Sequence, residues 1–151
     1  MNADRIEREI EIDAPIEVVW SVITEPQHMM IWFNDQTELD LRPGGAGRFG
    51  WETKARTRPT VVNVQVERDE EPTYFSFLWN FPDGTEHAPA NAPRVEFSLE
   101  ALGEKTLVRL VESGITGIPD SEPYYAEHSS GWDVIVARLV DYANTRGSMV
   151  G

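Results

Sequence analysis

The chain has 151 residues, which suits one domain and is too short for two ordinary ones. Lys and Arg total 13 while Asp and Glu total 26, so the formal net charge is −13. Such a charge repels phosphate backbones and anionic lipid surfaces, and neither a nucleic acid nor a membrane is therefore expected as a partner. The chain contains no cysteine, which excludes disulfides, thiolate nucleophiles and cysteine-ligated metal sites.

The N-terminal residues do not resemble a targeting signal. The stretch MNADRIEREIEID is charged from Asp4 onward and lacks the apolar segment of a signal peptide. No apolar run elsewhere reaches the length of a membrane span. We therefore predict a single cytoplasmic domain over residues 1–151.

The first part of the chain predicts a strand followed by two short helices. Residues 5–13 alternate acidic side chains with a row made of Ile6, Arg8, Ile10 and Ile12, a period of two that indicates a half-buried strand. Pro15 stands where a first helical turn tolerates proline. Apolar residues then recur at helical spacing: Ile16, Val19, Trp20 and Ile23. Pro26 ends or bends this helix, and residues 27–33, rich in large apolar side chains, predict a second one.

The middle of the chain predicts strands and turns. The predicted strands cover residues 37–42, 48–54, 60–68, 73–81, 94–101 and 106–113. A glycine-rich turn follows Pro43, and residues 82–93, with three prolines, predict a loop. Because short turns join most of these strands, neighbours are expected to pair antiparallel, which indicates an α+β fold.

The last segment, residues 121–146, predicts one long helix. Six side chains recur at steps of three and four and fall on one stripe: Tyr125, His128, Trp132, Ile135, Leu139 and Tyr142. The other faces are mostly polar, so only this stripe is expected to be buried. A long helix laid across a strand-rich body often forms one wall of a pocket.

Five segments in this order resemble a known superfamily: IEREIEIDAPIEVVWSVIT, MIWF, DLRPGGAGRF, VESG and HSSGWDVIVARL. From Arg5 to about Asn144 the chain is similar to the START-like, helix-grip (SRPBCC) superfamily, and within it to the domain named for activators of the heat shock protein 90 ATPase. The resemblance implies a curved seven-stranded antiparallel sheet wrapped around the C-terminal helix, with two short helices after the first strand. It also implies an apolar cavity between sheet and helix. Lipid and hormone binders, polyketide cyclases and partner-binding modules all belong to this superfamily.

Two polar residues have both a functional and a structural interpretation. His128 on the buried stripe would either hydrogen-bond a ligand or be satisfied by a carboxylate such as Glu112. Arg109 shares a strand face with Leu107 and Val111. It would either point inward and bind a ligand carboxylate or oxyanion, or form an ion pair at the surface.

The tryptophans also allow two interpretations. Trp51, Trp79 and Trp132 would line a pocket for a flat or apolar ligand, with Trp20 and Trp32 near its closed end, or they would be ordinary core residues. No metal site or cofactor is predicted, because His28, His87 and His128 are far apart in sequence. The glycines at 44, 45 and 47 precede a strand, so they indicate a turn rather than a phosphate site.

We predict, first, a non-enzymatic protein that binds a small apolar or aromatic ligand. The predicted lining residues are Trp51, Trp79, Arg109, Tyr125, His128 and Trp132. The alternative is a cyclase, dehydratase or hydrolase with His128 as general base and Arg109 or Tyr125 at an oxyanion.

The third alternative is a stress-related interaction module. It would contact a chaperone partner through the acidic surface or through residues 82–93. A homodimer is expected to use residues 73–81 together with Trp32 and Phe33, because these supply apolar surface.

Overall fold

The computed structural model of the chain describes residues 4–51, 60–81, 92–117 and 121–150. Most of the predicted loop at residues 82–93, including His87, lies outside these ranges, as does the side chain of Trp51. The elements in chain order are β1 (Arg5–Ile12), α1 (Ile16–Thr24), α2 (Pro26–Trp32), β2 (Gln36–Leu39), β3 (Ala46–Trp51), β4 (Thr60–Glu70), β5 (Tyr74–Phe81), β6 (Arg94–Leu102), β7 (Lys105–Ser113), a short 3-10 helix (Ile115–Gly117) and α3 (Ser121–Val150).

The seven strands form one antiparallel sheet in the order β1-β7-β6-β5-β4-β3-β2. Strands β2 to β7 follow one another as neighbours, and only β1 comes from a distant part of the sequence. It pairs with β7 along its whole length, from Arg5 opposite Ser113 to Ile12 opposite Thr106. The predicted α+β class and the predicted helix-grip architecture are confirmed.

One face of the sheet forms the core beneath the helices. The buried side chains alternate along the strands, as a period of two requires. They include Phe75, Phe77 and Trp79 on β5, Val95, Phe97 and Leu99 on β6, and Val108 and Leu110 on β7. Helix α3 covers this face with Trp132, Leu139 and Ala143, which are at most 2% exposed. The predicted stripe is therefore the buried side of α3, although the helix continues past Arg146 to Val150.

The two short helices meet at a proline. Glu25 is extended, with φ −84° and ψ 128°, and Pro26 begins α2, since proline is favoured at a first helical position. Pro15, by contrast, lies just before α1 rather than within its first turn. The indole N–H of Trp32 donates to the carbonyl oxygen of Val22 at 2.8 Å, which fixes α2 against α1.

The predicted dimer surface was wrong. Trp32 and Phe33 are each 1% exposed, and β5 is the central strand of the sheet, with Phe75, Phe77 and Trp79 directed into the core. The apolar character of these segments reflects core packing. The exposed apolar side chains of α2 are instead Met30 and Ile31, at 43% and 58% exposed.

Strand β2 is shorter than predicted. It ends at Leu39, because the backbone then turns: Arg42 N–H donates to the carbonyl of Asp40, and Gly45 N–H donates to that of Arg42. Gly44 in this turn has φ +83°, a conformation that favours glycine. None of the described helices is long and apolar enough to cross a bilayer.

Candidate functional site

A buried carboxylate lies where β7 passes under α3. Glu112 follows Val108 and Leu110 on the inward-facing row of β7, and it is 0% exposed. Four side chains donate hydrogen bonds to it: Trp132 Nε1 at 2.8 Å and His128 Nδ1 at 3.0 Å to Oε1, Tyr124 Oη at 2.6 Å and Trp79 Nε1 at 3.1 Å to Oε2. We call these five residues the Glu112 cluster.

The groups around Glu112 favour its ionised form. Burial by itself would raise the pKa of this carboxyl, but the hydrogen bond and charge interaction with His128, together with hydrogen bonds from Tyr124 and Trp132, outweigh that effect and lower the pKa below its usual value. Each carboxylate oxygen accepts two hydrogen bonds, which is the full capacity of its lone pairs. The charge of Glu112 is therefore well compensated, and the group acts as an acceptor rather than as an acid.

The carboxylate also determines which way His128 presents its ring. Because Nδ1–H donates to Glu112, the other nitrogen, Nε2, is the acceptor whenever the imidazole is neutral. Tyr124 stacks on the ring at 3.7 Å between centroids, and Trp79 meets it edge-on at 5.6 Å. The side chain is 18% exposed, and Nε2 has no hydrogen-bond partner among the described residues. The alternative that Glu112 satisfies His128 is confirmed.

Aromatic rings extend from this cluster to the end of α2. Phe33 stacks on Trp132 with centroids 5.7 Å apart and planes 11° apart, and it stacks on Trp79 at 6.0 Å. Phe49 meets the edge of Phe33 at 5.1 Å. Trp79 and Trp132 are 4% and 2% exposed, so these rings are part of the buried core. We call Phe33, Phe49, Trp79 and Trp132 the aromatic floor. Tyr124 and His128 are only partly buried, so this side of the Glu112 cluster is more open; Tyr125 on α3 is also partly buried.

The structure brings three of the predicted lining residues together: Trp79, His128 and Trp132 are all members of the Glu112 cluster. Tyr125 lies on the same side of α3 and packs partly buried against the core. Its hydroxyl makes no hydrogen bond to another described residue. Trp51 ends β3, where its backbone pairs with Thr60, but its side chain lies outside the described part of the chain.

Of the two interpretations of Arg109, the surface ion pair is confirmed, and its place among the predicted lining residues was wrong. Its side chain is 61% exposed on the outer face of the sheet, and Nη2 lies 2.9 Å from Oε2 of Glu9 on β1. The sequence could not decide this, because β7 has apolar residues on both faces. The inward row contains Val108, Leu110 and Glu112, and Arg109 lies on the alternate row. A surface ion pair is much cheaper for a guanidinium than unpaired burial.

Two members of this site were not predicted from the sequence. One is Tyr124, which precedes His128 by four residues and so shares its helix face. Phe33 was predicted as part of an apolar segment and of a dimer surface, not of the ligand site. Its stacking on Trp132 depends on how α2 lies against α3, which no spacing in the sequence specifies.

Among the described residues, no group of three or more histidine, aspartate or glutamate side chains is arranged to hold a metal ion. His28 on α2 is bonded through Nδ1 to the hydroxyl of Tyr142 at 2.6 Å. His128 is bonded to Glu112, and His87 lies outside the described ranges.

The sheet wrapped around α3, with α1 and α2 after the first strand, defines a helix-grip protein of the START-like superfamily. Within it, the chain belongs to the family described as Activator of Hsp90 ATPase homolog 1-like protein, whose model matches residues 13–144. This confirms the resemblance inferred from the sequence. No functionally curated protein matches the chain by sequence.

Solved structures share the fold at low sequence identity. Protein MLL2253 from Mesorhizobium loti has a TM-score of 0.74 at 20% identity, over 91% of this chain and 94% of that one. DynU16, from the dynemicin biosynthetic locus, has a TM-score of 0.72 at 23% identity, over 94% of this chain and 48% of that one. The Aha1 dimer from Colwellia psychrerythraea has a TM-score of 0.70 at 16% identity, over 93% of this chain and 96% of that one.

Proposed function

We propose that the protein binds a small apolar or aromatic molecule between the sheet and α3, on the open side of the Glu112 cluster. The observation that carries this proposal is the state of His128. Its Nδ1 is bonded to a buried carboxylate, while its Nε2 is left as an acceptor at a partly open, aromatic site. A ligand hydroxyl or N–H is the natural donor to that nitrogen.

The composition of the site supports a ligand rather than only a core. Small-molecule sites are mostly apolar surfaces with a few placed polar groups. In this proposal Trp79, Trp132 and Phe33 would supply the aromatic surface, and His128 Nε2 and the Tyr125 hydroxyl would supply the polar groups. A buried ionised group such as Glu112 seldom adds stability over an apolar replacement, which favours a functional reason for its presence.

The proposal agrees with what the superfamily allows, since it includes binders of apolar ligands. Arg109 is removed from the predicted lining because it lies on the outer face. The cytoplasmic location, a homodimer and a stress-related chaperone partner remain predictions. The family description favours the chaperone partner, and the dimeric neighbour favours the homodimer. Both would use surfaces other than the Glu112 cluster.

Native mass spectrometry of the purified protein is the first test. A reproducible additional mass that disappears on denaturation would identify a retained ligand. Titration with 2-naphthol, followed by tryptophan fluorescence, tests exchangeable binding, since Trp79 and Trp132 lie in the site. We expect saturable quenching that weakens in His128→Phe, which keeps a flat ring but removes Nε2. A bare protein mass together with no saturable quenching would contradict the proposal.

General-base catalysis is the second candidate function, and one observation favours it. A buried carboxylate on Nδ1 orients an imidazole so that Nε2 can take a proton from a substrate, as in enzymes that use a carboxylate–histidine pair. Tyr125 would then contact the oxyanion, since Arg109 cannot reach the site from the outer face. If a molecule recovered from the protein is converted by the wild type but only bound by His128→Gln, the protein is an enzyme. Binding without conversion in both would leave it a carrier.

A further inference from the structure

A buried amide lies between α2 and β2 with one of its polar atoms unpaired. Asn34 is 5% exposed, and its Oδ1 accepts a hydrogen bond from the hydroxyl of Thr37. Its Nδ2 is buried and has no hydrogen-bond partner among the described residues. Buried donors are almost always paired, since an unpaired one loses its hydration without compensation. The described residues therefore leave this amide without an acceptor, and a bound molecule would supply one.

The amide lies on the inner face of the sheet. Thr37, to which Asn34 is bonded, pairs directly with Phe49 on β3, and directly opposed residues of antiparallel strands project to the same face. Phe49 is 0% exposed and packs against Phe33, so that face is the core side. Asn34 thus lies at the edge of the aromatic floor.

The aromatic floor connects the amide to the Glu112 cluster. Phe33, the residue before Asn34, stacks on Trp132, and the indole of Trp132 donates to Glu112. The unpaired donor of Asn34 is therefore on the β2 side of the stacked rings, and the acceptor Nε2 of His128 is on the β7 side. A donor toward β2 and an acceptor toward β7 thus flank the stacked rings.

We propose that Asn34 Nδ2 donates a hydrogen bond to an acceptor oxygen, such as a carbonyl, of the bound molecule. The ligand class is then an aromatic or polycyclic body that carries a carbonyl oxygen, rather than a plain hydrocarbon or a fatty chain. This inference rests on the proposed binding function and adds to it the chemistry by which the ligand is selected. Asn34 is a specificity-determining residue in this scheme.

The test compares two probes of matched shape, 2-acetylnaphthalene and 2-isopropenylnaphthalene, which differ in a carbonyl oxygen against a methylene group. Their dissociation constants are measured by tryptophan fluorescence for the wild type and for Asn34→Leu. For each protein the dissociation constant of the alkene is divided by that of the ketone. Comparing this ratio between wild type and variant cancels the difference in hydrophobicity between the probes. We expect the preference for the ketone to fall about tenfold in Asn34→Leu, the size of one lost hydrogen bond to a buried donor.

Thr37→Val is the matched control. It removes the hydroxyl that donates to Oδ1 but leaves the Nδ2 donor, so the ketone preference should stay at the wild-type value. Asn34→Leu leaves the Thr37 hydroxyl without its acceptor. If that variant does not fold for this reason, the double variant Asn34→Leu/Thr37→Val, which removes both groups, is measured in its place.

Each outcome decides between the two proposals. If the wild type binds both probes and Asn34→Leu leaves their ratio unchanged, binding stands but the role of Asn34 is overturned, and a buried water satisfies the amide. If the wild type binds neither probe, the proposed function fails for aromatic ligands, and this inference fails with it. A drop in the ratio that is absent from Thr37→Val supports both.

Discussion

The indole N–H of Trp132 in α3 donates to Oε1 of Glu112 in β7 over 2.8 Å. Both residues are almost fully buried, so this bond joins the middle of the long helix to the last strand inside the core. The same carboxylate accepts a hydrogen bond from Trp79 on β5. One ionised side chain thus helps to fix how the helix lies over the sheet and how His128 is oriented.

Replacing Glu112 with glutamine should strongly destabilise the protein. The amide keeps one oxygen, and its NH₂ group would face two of the four donors that now point at the carboxylate. Disrupting a buried charged network in this way costs about 3 kcal/mol of unfolding free energy, to be measured by urea denaturation. Glu9→Gln, which removes one half of an exposed ion pair with Arg109, is the control and should change little. Equal effects of the two changes would contradict the role assigned to Glu112.

The same carboxylate should make stability fall in acid. The folded-state pKa of Glu112 lies below its ordinary value of 4.5, so above that value both folded and unfolded states are ionised and the stabilisation is complete. As the pH falls below 4.5 the unfolded state takes up the proton first, and the stabilisation is lost as the pH passes through the folded-state pKa. The difference in unfolding free energy between wild type and Glu112→Gln should therefore shrink between pH 5 and the acid limit of folding. A difference that stays constant over that range would contradict this assignment.

His28 should contribute a separate pH dependence at higher pH. Burial lowers the pKa of His28 below its ordinary value of 6.5, with Glu25 opposing this effect and Arg146 adding to it. Below pH 6.5 the unfolded state binds a proton that the folded state does not, so stability falls until the folded-state pKa is reached. Urea midpoints should therefore decrease from pH 7.5 to 5.5 more steeply in the wild type than in His28→Gln. Parallel curves would show that His28 is not the group responsible.

Two glycines of α3 should respond to alanine in opposite directions. A Cβ at Gly131 would meet nothing within 4 Å, so Gly131→Ala should stabilise the helix by about 1 kcal/mol through helix propensity. At Gly147 a Cβ would lie 2.6 Å from the carbonyl oxygen of Asp13 and 2.7 Å from Cβ of Ala14, where α3 passes close to the β1–α1 connection. Gly147→Ala should therefore destabilise the protein by about 1–3 kcal/mol. Thermal melts of the two variants measure both effects, and shifts of the same sign would refute the close approach at Gly147.

Much of the fold was predictable because it depends on short-range patterns. The alternation in residues 5–13 indicated β1, and the spacing from Tyr125 to Tyr142 indicated the buried side of α3, since burial of one face imposes a period on the sequence. The spacing of apolar residues did not predict which side chains are buried where both faces of an element carry apolar side chains. On β7 this hid the outward direction of Arg109, and at Trp32 and Phe33 it made core residues look like a docking surface.

The sequence by itself therefore determined the element order, the superfamily and the helix face that carries His128 and Trp132. Only the tertiary structure decided that Glu112 accepts four hydrogen bonds, that Phe33 stacks on Trp132, and that Asn34 keeps a buried donor unpaired. The physical reason is separation along the chain. Secondary structure follows from neighbours a few residues apart, whereas these contacts join residues of β5, β7, α2 and α3 that are far apart in sequence, and no local periodicity specifies them.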